Sequence, residues 1–407
     1  MFQKNSDSFC LSNHLIVPLC PEMKRLFLYL MIIGVLTACQ EQRKAPTAES
    51  VSTDATKTEA KGGMPILDAR LTTEVLLKTT PVKDQGHSSL CWIYAMLATI
   101  ETEHLMQGDS VDLSADYVTR KFLHEQAAER FMIRNKTIKR KRHNTDITTR
   151  GVGSMLLRLI QTYGVERYYA YNRQNDCNMN VLCRHLEQVV DTSPTLEEMN
   201  NRVEALMDST IGLMPNFVFM EGVEYTPLEF AHSVCRDDEY ESLTSFTHHP
   251  FGKRVVLEVP DNRYHDTYLN VPIDTLMNMI ERSLRSGHPV CWEGDTSEEG
   301  FSFAKGLGKL TDSQTNKIKS GQPTGKPSAA RWQQCRQYDF EMGKTTDDHC
   351  MEIVGIAHDK KGHRFYICKN SWGTINPYGG FMYLSENYVR LKTIAVFIPK
   401  AGIKGKP

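Results

Sequence analysis

The sequence predicts an α+β chain in two parts: a helical part built around a helix that starts at Cys91, and an antiparallel β part over residues 345–398. A largely helical insertion of about residues 165–285 lies between them. From Cys91 onward, Ile93, Met96, Leu97 and Ile100 recur at the spacing of one buried helix face. Met351, Ile353, Val354 and Ile356, then Asp359-Lys360-Lys361-Gly362, then residues 365–368, read as strand, turn and returning strand. Residues 183–212 carry helical spacing, with Thr195-Leu196-Glu197-Glu198 as a helix start.

At 407 residues with 40% hydrophobic and 24% charged content, the chain can bury a large core. A net charge of -1 gives no global attraction to nucleic acid, so no nucleic-acid partner is expected. The dense basic run at residues 136–143 reads as a solvated surface segment. Eleven cysteines lie scattered without a CxxC pair, which excludes a dense disulfide framework and a zinc ribbon. Cys177 and Cys183 either pair or remain thiols. His248-His249, His358 and His363 have no companion ligand at metal-binding spacing, and there is no phosphate-binding glycine loop, so neither metal nor cofactor is expected.

Residues 24–38, KRLFLYLMIIGVLTA, have two positive charges, an apolar run too short for a membrane span, and small residues at the end. That is a secretory pattern. Its end, Leu36-Thr37-Ala38-Cys39, resembles a bacterial lipoprotein signal, which implies a lipidated Cys39 as first mature residue and an anchor at the membrane surface of the cell envelope. Met23, directly before Lys24 and Arg25, is the expected true start. Residues 1–39 are thus a leader and residues 40–63, poor in large apolar residues, a flexible tether. Residues 64–400 form the main domain, and residues 401–407 a short tail.

Residues 80–90 are broken by Pro81, Gly86 and paired serines, so the stretch is a loop and Cys91 sits at a helix N-terminus. Free N–H groups there favour thiolate over thiol, which makes a nucleophile at neutral pH. Gln85, six residues earlier, lies where a folded-back side-chain amide can meet a developing oxyanion. In the predicted hairpin, His349 and Asn370 occupy the open ends. The asparagine oxygen can then accept from one imidazole nitrogen while the other faces the thiol, and Trp372 shields the bond.

Gln85 with Cys91-Trp92, Asp348-His349, and Asn370-Ser371-Trp372-Gly373 stand in the order of the papain-like cysteine peptidases, which the chain resembles. The resemblance implies a two-lobed fold with the cleft between a helical and an antiparallel β lobe, and a peptide or protein substrate. It makes Gln85 an oxyanion donor, Cys91 the nucleophile, His349 the base and Asn370 its orienter. Leu90 and Cys350 depart from the family pattern and are expected to crowd the cleft. The Cys91–His349 separation is 258 residues, against roughly 130–150 in simple papains, hence the insertion.

The enlarged core resembles the bleomycin hydrolase and aminopeptidase C branch. Asp112-Leu113-Ser114-Ala115-Asp116-Tyr117, Gly151-Val152-Gly153 and residues 287–295 support this. That branch implies an intracellular homo-oligomeric aminopeptidase whose own C-terminus lies in the cleft, whereas the leader points to export. The alternatives are a papain-like endopeptidase and a silent, surface-anchored binding protein on the same scaffold. A transglutaminase-like enzyme typically uses an aspartate where Asn370 stands. Glu293 and Asp295 either lie near the cleft, favouring a basic substrate end, or are solvated strand-end carboxylates, the reading preferred here.

Overall fold

The computed structural model describes residues 63–136, 145–173, 177–220, 222–320 and 327–404. The leader, Cys39 and all of the tether but Gly63 lie outside the described residues, as does the basic run after Lys136. Strand β1 (Thr72–Leu76) leads to the loop that ends at Leu90, and three helices follow, α1 (Cys91–Gln107), α2 (Ala115–Arg134) and α3 (Gly153–Tyr163). Next come α4 (Met179–Thr192), α5 (Leu196–Thr210), the small hairpin β2 (Val218–Met220) and β3 (Val223–Tyr225), and α6 (Pro227–Val234). Strands β4 (Tyr240–Thr244), β5 (Lys253–Val256) and β6 (Thr267–Asn270) precede α7 (Ile273–Arg285) and β7 (Val290–Gly294). Short strands β8 (Phe301–Ser302) and β9 (Leu307–Gly308) are followed by α8 (Asp312–Lys319) and α9 (Ala329–Glu341). The hairpin β10 (His349–His358) and β11 (Arg364–Lys369), β12 (Phe381–Ser385), α10 (Glu386–Lys392), β13 (Thr393–Pro399) and α11 (Lys400–Lys404) complete the described chain.

Side chains at the helix starts explain most boundaries. Ser114, Asn178, Thr195 and Ser385 each accept from a backbone N–H in the first turn of the following helix, and Thr226 forms a reciprocal box with Glu229. α1 differs, because no side chain caps it at Leu90 and the N–H groups beside Cys91 stay available. Asp359 closes the β10–β11 turn by accepting from the N–H groups of Lys361 and His363.

The main sheet has eleven strands in the order β5-β6-β4-β13-β7-β10-β11-β12-β9-β8, with β1 on the second half of β10. β10 pairs antiparallel with β11 and β7, and the register puts His349 beside Gly294, which also faces Thr393. One face carries α1 and the cluster of α2 to α6; the other is covered by α7, α9 and α10. Residues 165–234 are mainly helical, but β4, β5 and β6 then extend the sheet from the edge that β13 otherwise leaves unpaired.

α1 departs from the one-faced helix that its spacing suggests. Every residue from Cys91 to Leu97, and Thr99 to Glu103, is buried, because β10, β7, α2 and α3 surround it. Its carboxylates survive there through partners. Glu101 accepts from Lys83 Nζ at 2.6 Å, Thr80 Oγ1 at 2.5 Å and the Leu113 N–H at 2.7 Å. Cys183 is a free buried thiol, so no Cys177–Cys183 disulfide forms. Among the described residues, no helix is long and apolar enough to cross a membrane.

Candidate active site

Cys91 is the first residue of α1 and is 8% exposed. Its thiol meets the Cys350 thiol and the His349 imidazole, and these contacts hold it well below the ordinary thiol range although burial pushes the other way. The opposite effect falls on Cys350, whose thiol burial and the adjacent Cys91 push far up. A thiol made more acidic in this way, at the open end of a helix, has the character that a nucleophile requires.

His349 opens β10 and Asn370 follows β11, so the hairpin brings them together: His349 Nε2 lies 2.8 Å from Asn370 Oδ1. The Trp372 ring stacks 4.4 Å from the imidazole at a tilt of 31°. Both partners are nearly fully buried, which shields the bond from competing water. With Nε2 engaged, Nδ1 is left to face the thiol.

Gln85 is tied to the same segment as Asn370. Its backbone N–H donates to Ser371 O at 2.8 Å, and its side-chain Oε1 accepts from Ser371 Oγ at 2.7 Å. Its Nε2 gives one hydrogen to Ser88 O at 2.7 Å, leaving the second for another acceptor. Asp84 and Trp372 form an antiparallel bridge beside this pair, and Gly373, at φ +67°, lets the chain turn away where a Cβ would come within 3.1 Å of Asp84. Ser371 is the residue that sequence reasoning gave no task. Its hydroxyl role depends on a partner 286 positions away, which no local pattern displays.

A cavity of about 250 Å³ opens at the thiol, lined by Ser89, Cys91, Arg150, Gly151, Asp261, Asp347, Asp348, His349 and Cys350. Leu90 does not crowd it as expected; it is fully buried in the core, the position that packs the helix start. Cys350 does line it. The preferred reading of Glu293 and Asp295 as solvated is also corrected, for both are essentially inaccessible. Asp295 is held by Lys392 at 3.3 Å and by the Ser297 N–H at 2.9 Å. Glu293 accepts from the Gly153 N–H at 3.2 Å and abuts Asp347; burial pushes its carboxyl up to about 8, and burial plus Glu293 pushes Asp347 well up too.

Away from this cleft, the fold gives His248 and His249 the carboxylate that spacing denied them. Glu258 reaches His248 Nε2 at 2.6 Å and His249 Nε2 at 3.3 Å, close enough for the three to share an ion. Glu258 arrives by the β5–β6 connection, not by a motif.

Residues 218–404, which include the whole β10–β11 hairpin, match the model of the Peptidase C1-like family. Aminopeptidase E of Lactobacillus helveticus is 22% identical over 387 residues, covering 81% of this chain and 83% of that protein. The crystal structure of PepW from Lactobacillus rhamnosis HN001 superposes with a TM-score of 0.62 at 17% identity, over 81% of this chain and 82% of the other. Family match, relative and solved fold agree with the α+β architecture, and the chain is similar to the papain-like cysteine peptidases and, among them, to an aminopeptidase.

Proposed function

We propose that this cysteine peptidase works through Cys91, His349, Asn370 and Gln85, and that it is an aminopeptidase. The observation that carries the catalytic reading is the buried thiol at a helix N-terminus facing an imidazole whose other nitrogen is fixed 2.8 Å from Asn370 Oδ1. The Cys91 thiolate attacks the peptide carbonyl. The oxyanion takes the Cys91 N–H and the spare Gln85 Nε2 hydrogen, each donor fixed before the charge develops. The His349 imidazolium protonates the leaving amine; the neutral ring then takes a proton from the water that hydrolyses the thioester.

The relative named Aminopeptidase E supports an exopeptidase. Hydrolysis of alanyl-aminomethylcoumarin and its N-acetyl form by protein lacking residues 1–39 tests this. Turnover of the free amine alone is expected; equal turnover of both establishes an endopeptidase. Undiminished activity in Cys91→Ala would overturn the mechanism, and silence on both substrates would favour the binding protein. The Leu36-Thr37-Ala38-Cys39 motif supports a lipid anchor in a bacterial envelope, to be read from fatty-acid labelling that disappears in Cys39→Ala.

A further inference from the structure

We propose that Glu293 and Asp347, with Asp261 beside them, form a receptor for a cationic group on the acyl side of the scissile bond, so that the enzyme selects substrates carrying an ammonium or guanidinium there. This rests on Cys91 being the nucleophile.

The three carboxylates come from separate segments: Glu293 from β7, Asp347 from the approach to β10, and Asp261 from the β5–β6 connection. Asp347 and Asp261 line the cavity that contains Cys91, and Glu293 abuts Asp347 from behind. Glu293 is 0% exposed, and its Oε1 has no hydrogen-bond donor; the same holds for Asp347 Oδ2. Such groups are costly to bury unless something neutralises them. Three other buried carboxylates have such a neutralising partner, whereas Glu166 lacks one and Glu352 has only Lys369 at 3.9 Å. Buried Glu101 has Lys83, buried Asp295 has Lys392, and buried Asp116 has Arg173. The one nearby arginine, Arg150, is engaged with Asp261 at 3.0 Å and is itself 56% exposed. Among the described residues, no basic side chain reaches Glu293 or Asp347.

In the empty enzyme a shared proton can bridge the two carboxyls, in keeping with the raised affinity of both for protons. An ammonium or guanidinium entering the cavity replaces that proton and makes charge-assisted hydrogen bonds with the oxygens that lack donors.

The side of the bond follows from the cleft. Trp372 opens onto a second cavity, of about 530 Å³, with Asp84, Gly86 and His87, whereas Asp347 and Asp261 line the first. His349 lines the first cavity and packs on Trp372 at its border with the second; it delivers its proton to the leaving amine, so we take the leaving half to the Trp372 side and the acyl half to the carboxylate side. The cation has two sources in a peptide, a free α-ammonium and a basic side chain.

The test compares wild type with Glu293→Gln and Asp347→Asn on matched pairs, alanyl against N-acetylalanyl coumarin amide, and N-acetyl-Arg-Ala against N-acetyl-norleucyl-Ala coumarin amide. For wild type, a cationic over neutral ratio of kcat/KM above ten is expected in at least one pair. Each variant is expected to lower that ratio at least tenfold, chiefly through KM. A fall confined to the first pair identifies the α-ammonium, and one confined to the second identifies the side chain. Ratios near one in wild type, or ratios that survive both substitutions, overturn the receptor. Should the variants not fold, wild type alone decides: n-butylamine is expected to slow alkylation of Cys91 at concentrations where n-butanol does not, and equal effects reject the proposal. Cys91→Ala, assayed in parallel, reports on the nucleophile separately, because its retained turnover would refute the catalytic reading whatever the ratios do.

Discussion

His349 has two ring nitrogens, and the packing gives each a different neighbour, Asn370 Oδ1 for Nε2 and the Cys91 sulfur for Nδ1. A hydrogen bond to a charged imidazolium is worth about 1.5–3 kcal/mol. Asn370→Ala is therefore expected to lower kcat/KM about ten- to a hundredfold with KM little changed, as measured on the free-amine substrate. Unaltered kcat would show that Trp372 and the strand alone orient the ring. Gln85, Cys91, His349 and Asn370, the residues proposed for catalysis, could be picked out in the sequence because each stands in a short motif, and the fold brings His349 to Asn370 and Gln85 to Ser371. Ser371, Asp347 and Glu258 were not, since their tasks arise from partners brought up by distant segments. Glu293 was visible as a candidate but misjudged, because burial of a strand end depends on what packs over it and not on the strand's own pattern.

At the scale of elements, β7 carries a burden that the proposed receptor explains. Its Glu293 has a carboxyl raised from 4.5 to about 8, so the folded protein keeps a proton that the unfolded chain releases. Between those values the native state binds more protons than the unfolded state, and stability falls as pH rises from about 4.5 to about 8. Glu293→Gln removes this loss. Its melting temperature relative to wild type is expected to rise steadily from pH 5 to pH 8, and a difference independent of pH would rule the linkage out. α1 shows the reverse arrangement. Lys83 and Lys369 keep the Glu101 carboxyl below its ordinary value despite burial, so this helix contributes stability above the carboxylate range that is lost as pH falls. The start of α1 and the β10–β11 hairpin were readable from spacing and turn residues. The burial of α1 on every side was not, because Glu101 and Glu103 look like a solvent face until Lys83 and His288 arrive.

For the molecule as a whole, the sheet is the frame that fixes the distances within the cleft. β13 runs from Thr393, which faces Gly294 across from His349, to Pro399 at the opposite end, where α11 packs on α7 and Gly402 nears Ser283 and His288. Deleting residues 401–407 is accordingly expected to leave the ratio of free- to blocked-amine turnover unchanged. A fall in that ratio would mean that the terminus itself selects the substrate. The mixed character of residues 165–285 escaped the sequence reading, since β4 to β6 are short and find their identity only as partners of β13 and of each other. The seam between residues 83–85 and 371–373 has a consequence for the life of the protein before it is finished. The Ser371 hydroxyl joins Gln85 across 286 positions, and closing so long a loop comes late in folding. A ribosome-bound or half-folded chain has Cys91, the proposed nucleophile, but neither His349 nor a Gln85 held by Ser371 in place. On the proposed mechanism, a nascent chain would therefore stay inactive until its last strands are in place.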